Sequence, residues 1–202
     1  MLTLYITRHG ETQWNIEKRM QGWSDSDLTE KGKKNAVLLG ERLKEIEFAA
    51  IYTSPSKRTV ATANLIKGDR QIPIILDDHL KEMNMGKWEG KKAEYLKDSY
   101  PEAFDFFWNA PHRYKSSDGE DFFAVEKRVK QALNIVKENN ASGNVLLVTH
   151  SVVIKLLLAI FKELPMEKIW EPPFIHDTSL TVIEINGDMG RIVLEGDLSH
   201  RV

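Results

Sequence analysis

Four side chains that can bind an anion follow three short apolar runs of the sequence. The runs are residues 2–7, 49–53 and 144–149. Arg8 and His9 follow the first run. Arg58 comes shortly after the second run, and His150 follows the third. Runs of this kind are typical of buried strands. Open α/β sheets place ligand crevices at the carboxyl ends of parallel strands, so parallel pairing of these runs would bring the four side chains into one pocket.

Two guanidinium groups and two imidazoles together favour a doubly charged anion as the ligand. Arginine presents a planar fork that matches phosphate oxygens bidentately. Arg58 also falls in the first turn of a predicted helix, where backbone N–H groups and the helix dipole favour an anion. The sequence contains no cysteine, which excludes thiolate chemistry. The predicted ligand is therefore phosphate or a phosphate ester.

The elements that must position these side chains follow an α/β pattern. Thr29 is the predicted cap of a helix through about residue 46, and Asp118 that of a helix through about residue 138. Other predicted helices begin at residues 12, 56, 100 and 151. Other predicted strands are residues 72–76, 179–185 and 191–196, the last two joined by a turn at Asn186, Gly187 and Asp188. The pattern predicts a single domain, residues 1–202: a three-layer α/β sandwich with a mainly parallel sheet, helices on both faces and an antiparallel edge.

Composition narrows the class of protein further. The chain has 202 residues, 42% of them hydrophobic, which suits one domain with a sizeable core. A formal net charge of −2 gives no reason to expect nucleic acid or an anionic membrane as a partner. The longest apolar stretch, residues 152–161, is too short to span a bilayer, and no signal peptide is evident. We predict a cytoplasmic location, in agreement with the lack of cysteine. The sequence does not indicate an oligomeric state.

Seven segments of the chain resemble signatures of the histidine phosphatase superfamily, the phosphoglycerate mutase-like proteins. The segments are residues 8–15, 21–22, 28–32, 54–59, 82–90, 148–150 and 178–179. They occur in the family's order, so the resemblance covers nearly the whole chain. Residues 106–112 look most like the broad-specificity bacterial phosphatases of the superfamily. The resemblance implies the phosphoglycerate mutase-like fold and the hydrolysis of small phosphate monoesters.

The resemblance also implies roles for the pocket residues. Phosphoryl transfer needs an in-line nucleophile, neutralised oxygens and a proton for the leaving group. His9 is the expected nucleophile, forming a phosphohistidine while a backbone carbonyl near Gly10 holds its other nitrogen. Glu82 is expected to protonate the leaving alkoxide and then to deprotonate the water that releases phosphate. The residues expected to bind phosphoryl oxygens or substrate are Arg8, Asn15, Gln21, Gly22, Arg58, His150 and Ser151.

The remaining histidines and two departures from the family pattern complete the predicted site. His150 is expected to act as an imidazolium, because a bound dianion raises its pKa. His79, His112 and His200 are predicted to be surface groups, and His176 is a candidate substrate contact. The spacing of the histidines matches no metal motif, so we assign neither metal nor cofactor. Ser151 stands where most relatives carry Gly, and Asp177 stands where Asn is usual.

Residues of about 85–117 form the least regular part of the sequence and are predicted to cover the active site. The aromatic residues concentrate in its second half. They are Phe104, Phe106, Phe107, Trp108 and Tyr114. One helix face cannot bury so many rings, so we expect part of the cluster to wall the substrate pocket. This wall predicts aromatic or apolar phosphate esters as substrates.

Four alternative functions compete with this hypothesis. Residues 25–29 fit the D-x-D-x-T motif of magnesium-dependent aspartyl-phosphate hydrolases, but the motif follows a loop where a buried strand is required. A cofactor-dependent phosphoglycerate mutase would carry an Arg-Arg pair between the acid and the second histidine, and residues 83–149 contain none. A more specialised small-metabolite phosphatase of the same family also stays open. An inactive phosphate-ester sensor would have lost a catalytic residue, and none is lost.

Overall fold

A computed structural model of the chain describes residues 1–187 and 189–201. The strands are β1 (Leu2–Arg8), β2 (Phe48–Thr53), β3 (Ile74–Leu76), β4 (Gly143–Thr149), β5 (Leu180–Asn186) and β6 (Met189–Asp197). The helices are α1 (Gln13–Ile16), α2 (Glu30–Arg42), α3 (Lys57–Lys67), α4 (Ala93–Ser99), α5 (Pro101–Asn109), α6 (Phe122–Asn139) and α7 (Ser151–Lys162). Short 3-10 turns cover Asp78–Leu80, Gly86–Trp88, Pro111–Arg113 and Met166–Lys168. No helix of this described part is long and apolar enough to cross a membrane.

The six strands form one mixed sheet in the order β3-β2-β4-β1-β5-β6. The pairs β1–β4, β2–β4 and β2–β3 are parallel, whereas β5 pairs antiparallel with both β1 and β6. Because β1 and β4 are parallel neighbours, the residues that follow them emerge side by side at one edge of the sheet. The predicted mainly parallel sheet with an antiparallel edge is confirmed.

Helices cover both faces of the sheet, as predicted. Side chains of a strand alternate between its faces. Leu4 of β1 therefore packs in a cluster with Val129 of α6 and Leu156 of α7. Ile51 of β2 faces the other side and packs in a second cluster with residues of α2 and α3 such as Leu39. Burial of these two apolar layers fixes the sheet edge that carries the pocket.

The first helical turn begins after Thr12, as predicted, and ends at Ile16; Lys18 beyond it has a left-handed φ of 55°. The predicted end of the next helix was wrong. Helix α2 ends at Arg42 rather than near residue 46, and the Leu43 carbonyl then accepts a hydrogen bond from Arg70. The predicted turn at residues 186–188 cannot be assessed at Asp188, which lies outside the described residues.

The cap of the long helix α6 was also predicted one turn too early. Asp121 caps it, with Oδ1 accepting from the Ala124 N–H at 2.9 Å. Asp118 instead accepts from the Lys87 N–H at 3.0 Å and so fastens a neighbouring loop. Helix α4 was missed because it is one short element with a single buried residue, Leu96, and shows no apolar stripe.

Candidate active site

The strand-end residues meet at the carboxyl edge of the sheet. Arg8 ends β1 opposite Thr149, the last residue of β4. The next residues along the two strands are His9 and His150, whose rings lie 5.3 Å apart between centroids. Arg58 reaches the same place from the first turn of α3, and its Nη2 lies 3.1 Å from Nδ1 of His150. The predicted convergence of the four side chains is confirmed.

The environment of His9 holds the imidazole neutral. Its Nδ1 lies 2.8 Å from the Gly10 carbonyl, which can only accept, so Nδ1 carries the proton. The Nε2 atom therefore keeps its lone pair. Burial lowers the pKa of His9 well below the ordinary value, and the cationic groups of Arg58 and Arg8 lower it further. A neutral imidazole with a free Nε2 is the state that a nucleophile requires.

Arg58 is held in place by hydrogen bonds to the loop that follows Gln21. Its guanidinium donates to the carbonyls of Gly22 and Ser24 at 2.8 and 2.7 Å and to Oδ1 of Asp25 at 2.7 Å. Asp25 also accepts from the N–H of Lys57 at 2.9 Å. Asp25 therefore serves as the partner of a buried arginine on a loop. This position rules out the aspartyl-phosphate alternative, whose nucleophile must follow a buried strand.

His150 is neutral in this arrangement. Its Nδ1 accepts from Arg58, so the ring proton is on Nε2, which donates to Oγ of Ser54 at 2.9 Å. Burial lowers the pKa of His150 well below its ordinary value, and the neighbouring Arg58, His9 and Arg8 lower it further. The predicted imidazolium refers to the state with a bound dianion and stays a prediction.

Two buried N–H groups of the site have no partner. They are Nε of Arg8 and Nε of Arg58, neither of which contacts an acceptor in the part of the chain that the structure describes. A buried donor left unpaired costs about 1–3 kcal/mol. Nη1 of Arg8 donates to the Ile175 carbonyl at 3.0 Å, which fixes the direction of that side chain. An oxyanion between the arginines would satisfy both free donors.

Glu82 is buried beside the amino terminus of α7. Its Oε1 accepts from the Met83 N–H at 3.0 Å. Its Oε2 accepts from the hydroxyl of Ser151 at 3.2 Å and from the N–H of Val152 at 3.4 Å. Its backbone carbonyl accepts from Arg128 at 2.9 Å, and Arg128 also donates to the carbonyls that precede it. These contacts hold the carboxylate at the wall of the pocket.

Sequence reasoning missed Arg128, which holds the backbone around Glu82 in place. Its guanidinium bonds both oxygens of Glu120 at 2.8 Å and three backbone carbonyls of residues 79–82. A charged residue on an amphipathic helix is most simply interpreted as part of a solvated face, and no sequence signal distinguishes this one. Arg128 reaches these carbonyls only because α6 packs against residues 79–82.

The predicted binding residues Asn15, Gln21 and Gly22 line the pocket. Oδ1 of Asn15 accepts from the N–H and hydroxyl of Thr12 at 3.0 Å, which leaves its amide N–H groups as donors. Gln21 is buried, and its Oε1 accepts from Ser26 at 3.3 Å. Gly22 has a φ of +56°, and a Cβ there would collide with the carboxylate of Glu89. A side chain at this position would therefore displace the loop that holds Arg58.

The pocket is a cavity of about 670 Å³. Its lining includes all of the predicted site residues except His150, which contacts Arg58. The rest of the wall is largely apolar. Phe107 and Trp108 of the predicted aromatic cluster line it, together with Trp170 and Phe174. The other cluster members, Phe104, Phe106 and Tyr114, pack in the core or against it.

Among the remaining histidines, His200 departs from the prediction. His200 is buried, not a surface group: burial and two nearby arginines lower its pKa to about 4. His176 is exposed and lines a second cavity, of about 240 Å³, that shares Arg8 and Asn15 with the first. Within residues 1–187 and 189–201, no group of three or more His, Cys, Asp or Glu side chains is placed to hold a metal ion.

The mixed sheet covered by helices on both faces, with the paired histidines at its edge, defines a phosphoglycerate mutase-like α/β protein. Comparison with known proteins agrees. The solved structure of Bacillus stearothermophilus YhfR superposes with a TM-score of 0.97 at 48% sequence identity, over 99% of both chains.

Two curated relatives have names that describe an activity. The chain is 34% identical over 170 residues to phosphoserine phosphatase 1 of Hydrogenobacter thermophilus, covering 84% of this chain and 81% of the relative. It is 35% identical over 165 residues to the probable phosphoglycerate mutase GpmB of Cronobacter sakazakii, covering 82% and 77%. Residues 4–198 match the sequence profile of the histidine phosphatase superfamily (branch 1). The chain belongs to that superfamily, and the predicted family is confirmed.

Proposed function

We propose that this protein is a phosphatase that hydrolyses small phosphate monoesters through a phosphohistidine at His9, without a metal ion or another cofactor. The single observation that carries the proposal is the neutral His9 beside the guanidinium groups of Arg8 and Arg58, each of which keeps a buried Nε–H that has no partner among the described residues. The names of the relatives, phosphoserine phosphatase and probable phosphoglycerate mutase, support a small phosphate ester as the substrate.

In the first step, Nε2 of His9 attacks phosphorus in line with the ester oxygen. A new N–P bond forms as the P–O bond to the alcohol breaks. Arg8 and Arg58 neutralise the equatorial oxygens through their free donors. A protonated Glu82 gives its proton to the leaving alkoxide, which departs as the alcohol. The Asn15 amide donates a further hydrogen bond to the phosphoryl group.

In the second step, water replaces the histidine. The Glu82 carboxylate, formed in the first step, removes a proton from the water as it attacks phosphorus. The N–P bond breaks, inorganic phosphate leaves, and His9 returns to its neutral state with the proton on Nδ1. Glu82 is again protonated and ready for the next substrate.

The apolar part of the cavity wall suits an ester with an aromatic or apolar carbon frame. Phe107 and Trp108 come from the segment of residues 85–117, which we propose to cover the active site of a single domain, and Met85 of that segment also lines the cavity. The mutase alternative rests on the name of one relative. We favour hydrolysis because the sequence lacks the basic pair that a mutase uses to hold a carboxylate. A cytoplasmic location stays a prediction.

The proposal is tested with p-nitrophenyl phosphate in metal-chelated buffer. We expect full activity in EDTA without bisphosphoglycerate, and loss of activity in His9→Ala. Activity that disappears in EDTA and returns with magnesium would contradict metal independence. Transfer to phosphoglycerate exceeding hydrolysis in the presence of bisphosphoglycerate would instead support the mutase.

A further inference from the structure

Lys155 is a buried lysine in the wall of the substrate cavity. It lies on α7 one helical turn beyond Ser151, and both residues line the cavity together with Val152. Four residues of an α-helix span about 6 Å along its axis. Along the cavity wall, Lys155 therefore lies about one helical turn from Ser151, which contacts Glu82. Lys155 has only 5% of its surface exposed.

The ammonium of Lys155 lacks a full set of partners. It donates to the backbone carbonyl of Glu171, the one hydrogen bond that Nζ makes within residues 1–187 and 189–201. An ammonium has three donors. Burial lowers the pKa of Lys155; at longer range the carboxylates of Glu195 and Glu171 raise it, and the charge of Lys162 lowers it. A buried cation with unfilled donors is costly unless a ligand supplies the missing acceptor.

Lys162, at the carboxyl end of α7, differs from Lys155 in having a carboxylate partner. It lies on the same helix, forms an ion pair with the carboxylate of Glu195 and does not line the cavity. Two of the other cations of the cavity are also paired, Arg58 with Asp25 and Arg19 with Glu17. Lys155 forms no such pair with a side chain of the described residues.

We propose that Lys155 binds a carboxylate on the alcohol portion of the substrate, which makes phosphate monoesters of hydroxy acids the favoured substrate class. The inference rests on the proposed phosphatase function and adds a second anionic group to it. The phosphoryl group occupies the arginine end of the cavity, the carbon frame contacts the aromatic wall, and the carboxylate reaches Lys155. An uncharged ester fills the same space but leaves the buried ammonium without its acceptor.

The test compares esters that differ in a carboxylate. One pair is 4-carboxyphenyl phosphate and phenyl phosphate, and the other is 3-phosphoglycerate and glycerol 3-phosphate. For each pair the measured quantity is the ratio of kcat/KM with and without the carboxylate. The variants are Lys155→Met, Lys155→Gln and Lys155→Arg, with Lys162→Met as the matched control on the same helix. Circular dichroism and thermal melting confirm that each variant is folded.

We expect the ratio to fall about 10- to 100-fold in Lys155→Met, the size of a lost charge-assisted hydrogen bond. Lys155→Gln keeps a donor for the Glu171 carbonyl but removes the charge, so it should show the same loss even if the Met variant is unstable. Lys155→Arg should retain most of the ratio, and Lys162→Met should retain all of it. A ratio in both neutral variants within twofold of wild type would overturn the role of Lys155 while hydrolysis itself continued. Failure of the wild type to hydrolyse any of the four esters would overturn the proposed function instead.

Discussion

The hydroxyl of Ser151 lies 3.2 Å from Oε2 of Glu82, where it donates a hydrogen bond to the proposed acid of the reaction. The second donor to the same oxygen is the N–H of Val152, at 3.4 Å. In the relatives that this sequence resembles, glycine is usual at the position of Ser151. The hydroxyl of Ser151 therefore contacts the acid, and the residue also lines the pocket.

The first prediction concerns this contact. Ser151→Ala and Ser151→Gly should slow phosphorylation of the enzyme by alkyl phosphates by about 2- to 10-fold, the effect of losing one neutral hydrogen bond, because Glu82 loses a positioning donor. The loss should be smaller for p-nitrophenyl phosphate, whose leaving group needs little help from an acid. Single-turnover kinetics of both variants check this, because the later hydrolysis uses Glu82 for every substrate. Equal losses for both substrates in the first step would show that Ser151 does not act through Glu82.

The second prediction tests Glu82 as the acid. An alkoxide is a strong base and needs a proton as it leaves, whereas a nitrophenolate leaves nearly unaided. In Glu82→Gln, phosphorylation of the enzyme by an alkyl phosphate should slow by ~10²- to 10⁴-fold, and phosphorylation by p-nitrophenyl phosphate far less. The measurement must follow a single turnover, because the later hydrolysis also uses Glu82. Equal slowing in that first step would refute the assignment.

The third prediction concerns the loop that holds Arg58. Asp25 pairs with this buried guanidinium and also accepts from the amino terminus of α3. Asp25→Ala should lower the free energy of unfolding by about 1–3 kcal/mol, because the guanidinium loses its charged partner. Asp27→Ala, a change of an exposed carboxylate in the same loop, should alter it by less than about 0.5 kcal/mol. Urea titration measures both, and equal effects would contradict a specific role for Asp25.

The fourth prediction is a pH dependence of stability. His200 has its pKa lowered from 6.5 to about 4 in the folded protein. The unfolded chain therefore binds the proton first, and stability falls as the pH drops from about 6.5 towards 4. His9 and His150 act in the same direction. His200→Gln should reduce the loss of unfolding free energy between pH 7 and pH 5. An unchanged slope would place the titration elsewhere.

Local patterns in the sequence were enough to predict the fold class and the convergence of the two histidines. The reason is physical: β1 and β4 are apolar runs that must be buried, and parallel strands deliver the residues after them to one edge. Arg58 was predictable because a helix begins directly after its strand. The neutral tautomer of His9 required a carbonyl near Gly10, which the structure provides at 2.8 Å.

The remaining features depend on contacts between distant parts of the chain. Lys155 interrupts an apolar helix and gives no sign of facing a cavity, and Trp170 lies among turns without periodicity. Arg128 braces residues 79–82 only because α6 packs against them. His200 is near the chain end, where burial depends on how the terminus meets Thr178. Propensity and spacing carry no information on such contacts.

The most direct test of the account is the detection of the phosphoryl group on His9. The protein is mixed with substrate for a fraction of a turnover, quenched in alkali, which preserves phosphohistidine, and digested for mass spectrometry. We predict the mass of one phosphoryl group on the peptide that contains His9, and none in His9→Ala. A phosphoryl group on the peptide of His150, or hydrolysis that continues in His9→Ala, would contradict the central claim.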